Sequence, residues 1–216
     1  MIFEYGEAEL SRLRKKDKRL AEAIDRIGRV EREVDPDLFS SVMHHIIGQQ
    51  ISTKAQATVW RRMQDTLGTV NAETVLGAGT ERLQALGMTF RKAGYLVDFA
   101  EKVRSGAFDV ERIESLSDDE ATRVLSALKG IGVWTAEMIL LFCLQRRDVF
   151  SYDDFAIRRG LRMLYRHRQI DRTRFEKYRR RFSPDCSVAS LYLWAVAGGA
   201  LPELNDPAQK CVKKSR

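Results

Sequence analysis

Apolar residues recur along this chain with the spacing of an α-helix, and this pattern constrains the fold more than any other feature. Near the N-terminus they fall at Leu10, Leu13, Leu20, Ile24 and Ile27, and the same 3.6-residue period returns through the rest of the sequence. Few segments alternate apolar and polar residues as strands do. The sequence therefore predicts an all-α protein built from about ten or more short helices.

Residues that favour helix starts mark several of the boundaries. Asp17 is placed to cap the second N-terminal helix, and Ser52 is placed to cap a later one. Asp35-Pro36-Asp37 interrupts the apolar pattern, and we expect a helix there with Pro36 in its first turn. Ser117 to Glu120 has the Ser-x-x-Glu form of a capping box. These positions divide the chain into helices of ordinary length without a long linker.

Length and composition exclude several classes of protein. The chain has 216 residues, 44% hydrophobic and 31% charged, which is ordinary for a globular protein. No apolar run approaches the ~20 residues that span a bilayer, and the N-terminus lacks a secretory signal. We therefore expect a cytoplasmic protein, associated with the nucleoid if bacterial. The spacing of Cys143, Cys186 and Cys211 fits neither a disulfide framework nor a metal motif, so no metal site is predicted.

Positive charge is concentrated in one segment. Residues 155–181 hold eleven Lys or Arg against two acidic residues, in a chain whose net charge is +7. Such a field attracts a polyanion and raises its encounter rate. A solvated arginine-rich helix face would have the same composition, so charge alone leaves both interpretations open.

The sharpest local signal is the run Leu128-Lys129-Gly130-Ile131-Gly132-Val133-Trp134-Thr135-Ala136. A helix arrives at Leu128, two glycines permit a tight turn with positive φ, and a new helix leaves from Val133. The first turn of a helix has backbone N–H groups without internal partners, and glycine lets an anion approach them. The run predicts a hairpin that binds a phosphate, although a Gly-x-Gly turn alone could be a simple connection.

An aspartate pair, Asp153-Asp154, follows some twenty residues later at a predicted helix start. One aspartate can cap the helix, while the other projects into a cavity. A carboxylate there can stabilise the cationic sugar that forms when an N-glycosidic bond breaks. Without the hairpin, capping and solubility would be the favoured explanation of the pair.

The hairpin and the aspartate pair together resemble the helix-hairpin-helix DNA glycosylases, and within them the DNA-3-methyladenine glycosylase II branch. The likeness also includes four further runs: Asp35 to Phe39, Ile46 to Ser52, Gly87 to Ala100 and Ser187 to Trp194. The resemblance implies a two-lobed all-α fold with a cleft between the lobes. It implies one glycosylase domain over 1–216, with a terminal lobe of approximately 1–34 plus 151–207, a central lobe of 35–150 and a loose tail at 208–216.

By this resemblance the catalytic residue is Asp154, which leaves Asp153 as the helix cap. Bifunctional relatives carry a Schiff-base lysine at the position of Trp134. Since no amine stands there, the resemblance implies hydrolysis without strand cleavage. Lys129 is a nearby amine, but it lies before the turn and does not match that position.

The family flips the damaged nucleotide out of double-stranded DNA, because a base inside the stack cannot be reached. The resemblance places Gln50 where a wedge side chain fills the resulting gap. It implies a base pocket in which indole faces attract a cationic purine, formed by Trp134, Trp194, Met138, Phe39 and Tyr152. The predicted DNA-binding residues are Lys129, Gly130, Ile131, Gly132, Val133, Thr135, Gln49, Gln50 and Arg158.

The resemblance thus predicts a monomeric glycosylase that removes alkylated purines of the 3-methyladenine type from damaged double-stranded DNA. It implies no cofactor and leaves room for a monovalent cation at the hairpin. Met138 occupies a position that carries tyrosine in some relatives, which leaves the substrate open. Two alternatives to an alkylpurine glycosylase remain open. One is a glycosylase for deaminated bases such as hypoxanthine or uracil, and the other is a DNA lesion-binding module without catalysis.

Overall fold

Helices form almost all of the regular structure, as the apolar period predicts. The computed structural model describes residues 1–208. This part contains twelve α-helices and no strand beyond an isolated antiparallel bridge between Ile2 and Glu33. The helices are α1 (Glu7–Lys16), α2 (Lys18–Ile27), α3 (Leu38–Gly48), α4 (Thr53–Leu67), α5 (Ala72–Ala85), α6 (Phe90–Arg104), α7 (Val110–Ser115), α8 (Asp118–Ser126), α9 (Val133–Phe142), α10 (Phe155–Tyr165), α11 (Arg172–Phe182) and α12 (Cys186–Ala197). The all-α prediction is confirmed.

The predicted caps are largely confirmed. The Asp17 carboxylate accepts a hydrogen bond from the Leu20 N–H at the start of α2, and Ser52 caps α4 in the same way. Ser117 and Glu120 form a complete capping box on α8. The expected place of Pro36 is wrong, because Asp37 caps α3 and Pro36 lies outside the helix. A second aspartate after the proline provides the better cap and moves the start by two residues.

The chain divides into two compact units. The first comprises Val34–Leu144 together with Met1, and within the described residues the second comprises 2–33 and 145–208. Residues 145–150, expected in the central lobe, therefore belong to the second unit. The predicted tail at 208–216 lies outside the described residues, apart from Ala208.

In the first unit, α3 lies at the centre of the packing. It contacts α4, α6 and α9, while α5 packs on α6 and α8 packs on α9. The α3 face that makes these contacts is fully buried, and it comprises Val42, Met43, Ile46 and Ile47. Because α3 contacts both α6 and α9, it joins the helix that follows the predicted hairpin to the body of the unit.

In the second unit, α12 is the central helix. Its residues from Cys186 to Leu193 are all buried, and it packs on α1, α2, α10 and α11. A helix that is apolar all round belongs in an interior. Gly160 of α10 permits a close approach to α12, since a Cβ built there would lie 2.3 Å from the carbonyl oxygen of Leu193. This contact places the middle of α10 beside the C-terminal half of α12.

No helix in residues 1–208 combines the length and the apolar character that crossing a membrane requires.

Candidate functional site

The hairpin of the first unit is a rigid turn around Gly130. This residue has φ +85°, and a Cβ added to it would lie 2.4 Å from the Tyr95 ring. Ile131 is buried beneath the turn, and its N–H donates to the carbonyl oxygen of Leu128 at 3.1 Å. Gly132 has an ordinary φ of −93°, so the expected positive φ occurs at only one of the two glycines.

Helix α9 begins at Val133 as predicted, and its start lacks a side-chain cap. Gly132 is the N-cap residue, and nothing lies within 4 Å of where its Cβ would be. Val133 and Trp134 are exposed at 50% and 44%, while Thr135 is buried. The N-terminal amides of a helix carry partial positive charge, and here the approach to them is open. This start therefore fits an anion that comes from outside the chain.

A network of hydrogen bonds joins the Gln49-Gln50 loop to the hairpin. The Gln49 side-chain amide donates to the carbonyl oxygen of Gly130 at 2.5 Å. Lys92 Nζ donates to the carbonyl oxygens of Ile47 at 2.8 Å and Gln49 at 2.6 Å, at the C-terminal end of α3. Gln50 is exposed and has φ 57°, in the left-handed region. The structure thus brings two of the predicted DNA-binding residues, Gln49 and Gly130, into direct contact.

Lys129 is exposed and forms an ion pair with Asp98 of α6. Asp98 also pairs with Lys102, and the two lysines hold the pKa of its carboxyl group below the usual range. The same hydrogen bond raises the pKa of the Lys129 amine. Lys129 is therefore a protonated cation beside the hairpin at neutral pH.

Asp154 is the N-cap of α10, and the expectation that Asp153 would take this role is wrong. Asp154 Oδ1 accepts a hydrogen bond from the Ile157 N–H at 2.7 Å. The same oxygen accepts from Trp194 Nε1 at 3.1 Å. Asp154 is only 6% exposed, whereas Asp153 is exposed. The capping geometry turns the second aspartate inward, because the cap side chain must fold back over the first turn.

The other predicted pocket residues lie in different surroundings. Met138 and Phe39 are buried in the first unit, where Phe39 stacks on Phe99 with ring centroids 5.3 Å apart. Trp194 is half-buried on α12 in the second unit. Tyr152, also in the second unit, meets Phe175 edge to face, with ring centroids 5.2 Å apart. The Arg158 guanidinium lies over the Tyr152 ring at 5.0 Å.

Three residues of the site had no role in the sequence prediction. Lys92 holds the end of α3, Gly160 admits α12 beside α10, and Arg172 lies over Tyr152 at 4.1 Å. Gly160 carried a usable signal, because a glycine inside an amphipathic helix usually marks close packing. Lys92 and Arg172 act through contacts between segments distant in sequence, which local patterns do not report.

Comparisons with known proteins identify the family to which the chain is similar. The model of the HhH-GPD superfamily of base excision DNA repair proteins matches residues 43–184. DNA-3-methyladenine glycosylase 1 of Schizosaccharomyces pombe is 31% identical over 164 residues, covering 74% of this chain and 72% of the relative. A putative DNA-3-methyladenine glycosylase of Bacillus subtilis, YfjP, is 25% identical, and the match spans 59% of its length.

Solved structures extend the likeness over nearly the whole chain. DNA-3-methyladenine glycosidase from Bacillus halodurans is similar with a TM-score of 0.84 and 32% identity, over 94% of this chain and 95% of that one. The 3-methyladenine DNA glycosylase of S. pombe, solved in complex with abasic DNA, gives a TM-score of 0.76 and 27% identity over 87% of this chain and 95% of that one. The family model covers residues 43–184, more than half of the chain, and this shows that the chain belongs to the HhH-GPD superfamily of base excision DNA repair proteins.

Proposed function

We propose that this protein is a monofunctional DNA glycosylase that hydrolyses the N-glycosidic bond of alkylated purines, of the 3-methyladenine type, in base excision repair. The observation that carries the proposal is the buried Asp154 carboxylate, fixed at the start of α10 by the N–H groups of Ile157 and Trp194. The names of the relatives support the reaction, and the abasic DNA bound to the S. pombe glycosylase supports a DNA substrate.

The chemistry requires a fixed negative charge at the sugar. As the bond between C1′ and the purine nitrogen breaks, its electron pair leaves with the base and positive charge develops on the sugar ring. The Asp154 carboxylate stabilises that charge, and a water molecule adds to C1′ as a hydroxyl group and releases its remaining proton to the solvent. Both donors bind the same carboxylate oxygen, so the group is oriented before the substrate arrives.

An alkylated purine suits a site with this single carboxylate. Such a base carries a positive charge and becomes neutral when it accepts the bonding electrons, so it needs little proton donation to leave. The indole of Trp194 adjoins the carboxylate through its own N–H and offers an electron-rich face to a cationic base. Selectivity would then come from charge and stacking, with base flipping giving access.

The hairpin and the Gln49-Gln50 loop would position the duplex. The open start of α9 accepts a backbone phosphate without reading sequence. Gln50, exposed at the tip of a loop that Lys92 and Gln49 hold in place, is the wedge that fills the gap left by the flipped nucleotide. A polar wedge can also form hydrogen bonds with the orphaned partner base.

The proposal includes hydrolysis without strand cleavage. Trp134 stands where a Schiff-base lysine would be needed. The amine nearest to it in sequence, Lys129, pairs with Asp98, which raises the pKa of Lys129 and keeps it protonated. A protonated amine is not a nucleophile.

A base-release assay tests the proposal. Duplexes that contain methylated, deaminated or oxidised bases are incubated with the protein, and released bases are separated by chromatography. We expect 3-methyladenine release, without a β-elimination product or a borohydride-trapped adduct. Release of hypoxanthine or uracil instead would move the substrate to deaminated bases. Binding to abasic DNA without release of any base would favour the lesion-binding alternative. Monomeric state, cytoplasmic location and a cation at the hairpin stay predictions.

A further inference from the structure

Tyr152, two residues before Asp154, has two arginines against its ring. The guanidinium carbons of Arg158 and Arg172 lie 5.0 and 4.1 Å from the ring centroid. Phe175 meets the same ring edge to face at an interplanar angle of 86°, which fixes the ring from another side. Tyr152 therefore holds two cations, which we call the Tyr152 arginine pair.

Neither arginine of the pair has an acidic partner in the part of the chain that the structure describes. Other arginines of this unit do: Arg162 forms a bidentate pair with Asp206, and Arg181 pairs with Asp17. The Arg158 Nε is shielded from solvent and has no hydrogen-bond partner among residues 1–208. Two like charges held at one ring repel each other unless an anion lies between or beside them.

The position of Arg172 does not serve helix stability. Arg172 is the first residue of α11, where a cation opposes the helix dipole. Arg158 follows Asp154 by four residues, so its side chain starts from the same face of α10 one turn later. A carboxylate in place of Arg172 would favour α11, so the cation suggests a ligand.

We infer that Arg158 and Arg172, held by Tyr152, bind the DNA phosphodiester backbone next to the nucleotide on which Asp154 acts. The inference rests on the proposed function, because it takes DNA as the substrate. A guanidinium binds phosphate oxygens through two parallel N–H bonds, and the strand presents a phosphate about every 3.4 Å along the helix axis. In this account Tyr152 supports the two cations, and its place in the base pocket stays a prediction.

Salt dependence of DNA binding tests the inference. The double variant Arg158→Ala/Arg172→Ala is compared with the wild type on a duplex that contains an abasic-site analogue. Each lost phosphate contact lowers the slope of log Kd against log salt concentration by about 0.9. We expect the slope to fall by about two units. The matched control is Lys18→Ala/Arg32→Ala, which removes the same charge from exposed positions of the same unit and should leave the slope unchanged.

Variants of Tyr152 separate the support from the charge. Tyr152→Phe keeps the aromatic face, so we expect wild-type binding. Tyr152→Leu keeps both arginines but removes the face, so we expect weaker binding and a smaller slope, with thermal unfolding measured in parallel. An arginine double variant whose slope matches that of the control would overturn the inference, whatever the Tyr152 variants do.

The same proteins distinguish this failure from failure of the proposed function. Base release from alkylated DNA by the wild type, with an unchanged slope in the double variant, would contradict phosphate binding by the arginine pair and leave the proposed function intact. A smaller slope in the double variant, in a protein that releases no base, would support DNA binding by the arginine pair and contradict the proposed glycosylase activity.

Discussion

Two helix starts in this molecule use the same backbone chemistry in opposite ways. Helix α9 begins after Gly132 without a side-chain cap, at a surface where nothing lies within 4 Å of a Cβ position. Helix α10 begins after Asp154, whose buried carboxylate accepts from the Ile157 N–H. The first start leaves its amides accessible to a foreign anion, while the second binds an anion from its own chain.

The difference between the two helix starts suits one of them to binding DNA and the other to chemistry on the sugar. A start that any phosphate can reach is suited to positioning DNA of any sequence. A start that carries its own carboxylate keeps a negative charge in place before the substrate arrives, which is what a developing cation needs. The residue at the cap decides between them: glycine leaves space, and aspartate fills it with charge.

The largest expected effect is at the cap of α10. We expect Asp154→Asn to lower single-turnover base release by about 100- to 1000-fold, because it removes the charge that stabilises the sugar cation. Asparagine caps helices as well as aspartate does, so the free energy of unfolding should change little. Asp153→Asn, at the exposed neighbour, is the control and should keep activity. Equal activity of the two variants would contradict the catalytic role that the comparison gives to the start of α10.

The next effect concerns the packing that holds this cap beside Trp194. A Cβ at Gly160 would lie 2.3 Å from the Leu193 carbonyl oxygen, so Gly160→Ala must separate α10 from α12. We expect a loss of about 1–3 kcal/mol in the free energy of unfolding, measured with urea, and a slower base release.

The control for Gly160 is Gly94→Ala in α6, where a Cβ meets nothing within 4 Å. That change should stabilise the protein by about 0.4–1 kcal/mol, because it restricts the unfolded chain. If both variants were equally stable, the close approach of α10 and α12 would not be what positions Asp154.

The two hairpin glycines should respond differently. Gly132 has φ −93° and open space, so Gly132→Ala should fold normally but place a methyl group where a phosphate approaches. We expect about tenfold weaker duplex binding, equivalent to ~1.4 kcal/mol. Gly130→Ala should instead destabilise the fold by about 1–2 kcal/mol, since φ is +85° and the Tyr95 ring is in the way. Normal duplex binding by Gly132→Ala would contradict the proposal that the start of α9 binds a phosphate.

The smallest effect concerns the charge beside the hairpin. Asp98→Asn should cost less than about 1 kcal/mol of stability, because its ion pairs with Lys102 and Lys129 are near the surface. It releases Lys129, so duplex binding should tighten slightly.

The pH dependence of this pair has a definite sign. Lys102 and Lys129 lower the folded-state pKa of Asp98, so its contribution is present above the unfolded value of about 3.9 and is lost as the pH falls below it. Acid unfolding curves of Asp98→Asn and the wild type should therefore converge at low pH. Curves that stay equally far apart as the pH falls well below the unfolded value of about 3.9 would contradict this assignment.

The sequence predicted the helices well, because their signals are local. Asp17, Ser52 and the Ser117–Glu120 capping box begin helices where expected. Pro36 was expected in the first turn of a helix, but Asp37 caps α3 and the helix begins after it. Apolar period and cap chemistry act within one or two turns, so a single sequence reports them.

The site was predicted less completely, because its geometry depends on contacts across the fold. The sequence identified the aspartate pair, but it could not show that capping turns Asp154 toward Trp194, forty residues away. Lys92, Gly160 and Arg172 gain their roles only when α3, α12 and Tyr152 are brought beside them. The family resemblance predicts Asp154 as the catalytic residue, and the structure shows that the N–H groups of Ile157 and Trp194 hold it.

The left-handed backbone at Gln50 implies a trade-off between stability and function. A side chain in this region costs about 1–2 kcal/mol, which glycine would avoid. The neighbouring Gln49 is held on both sides, because its carbonyl oxygen accepts a hydrogen bond from Lys92 of α6 and its side chain donates to Gly130. Selection for stability alone would favour glycine here. With glutamine instead of glycine at this bend, the protein has a lower free energy of unfolding and an exposed polar side chain at this position.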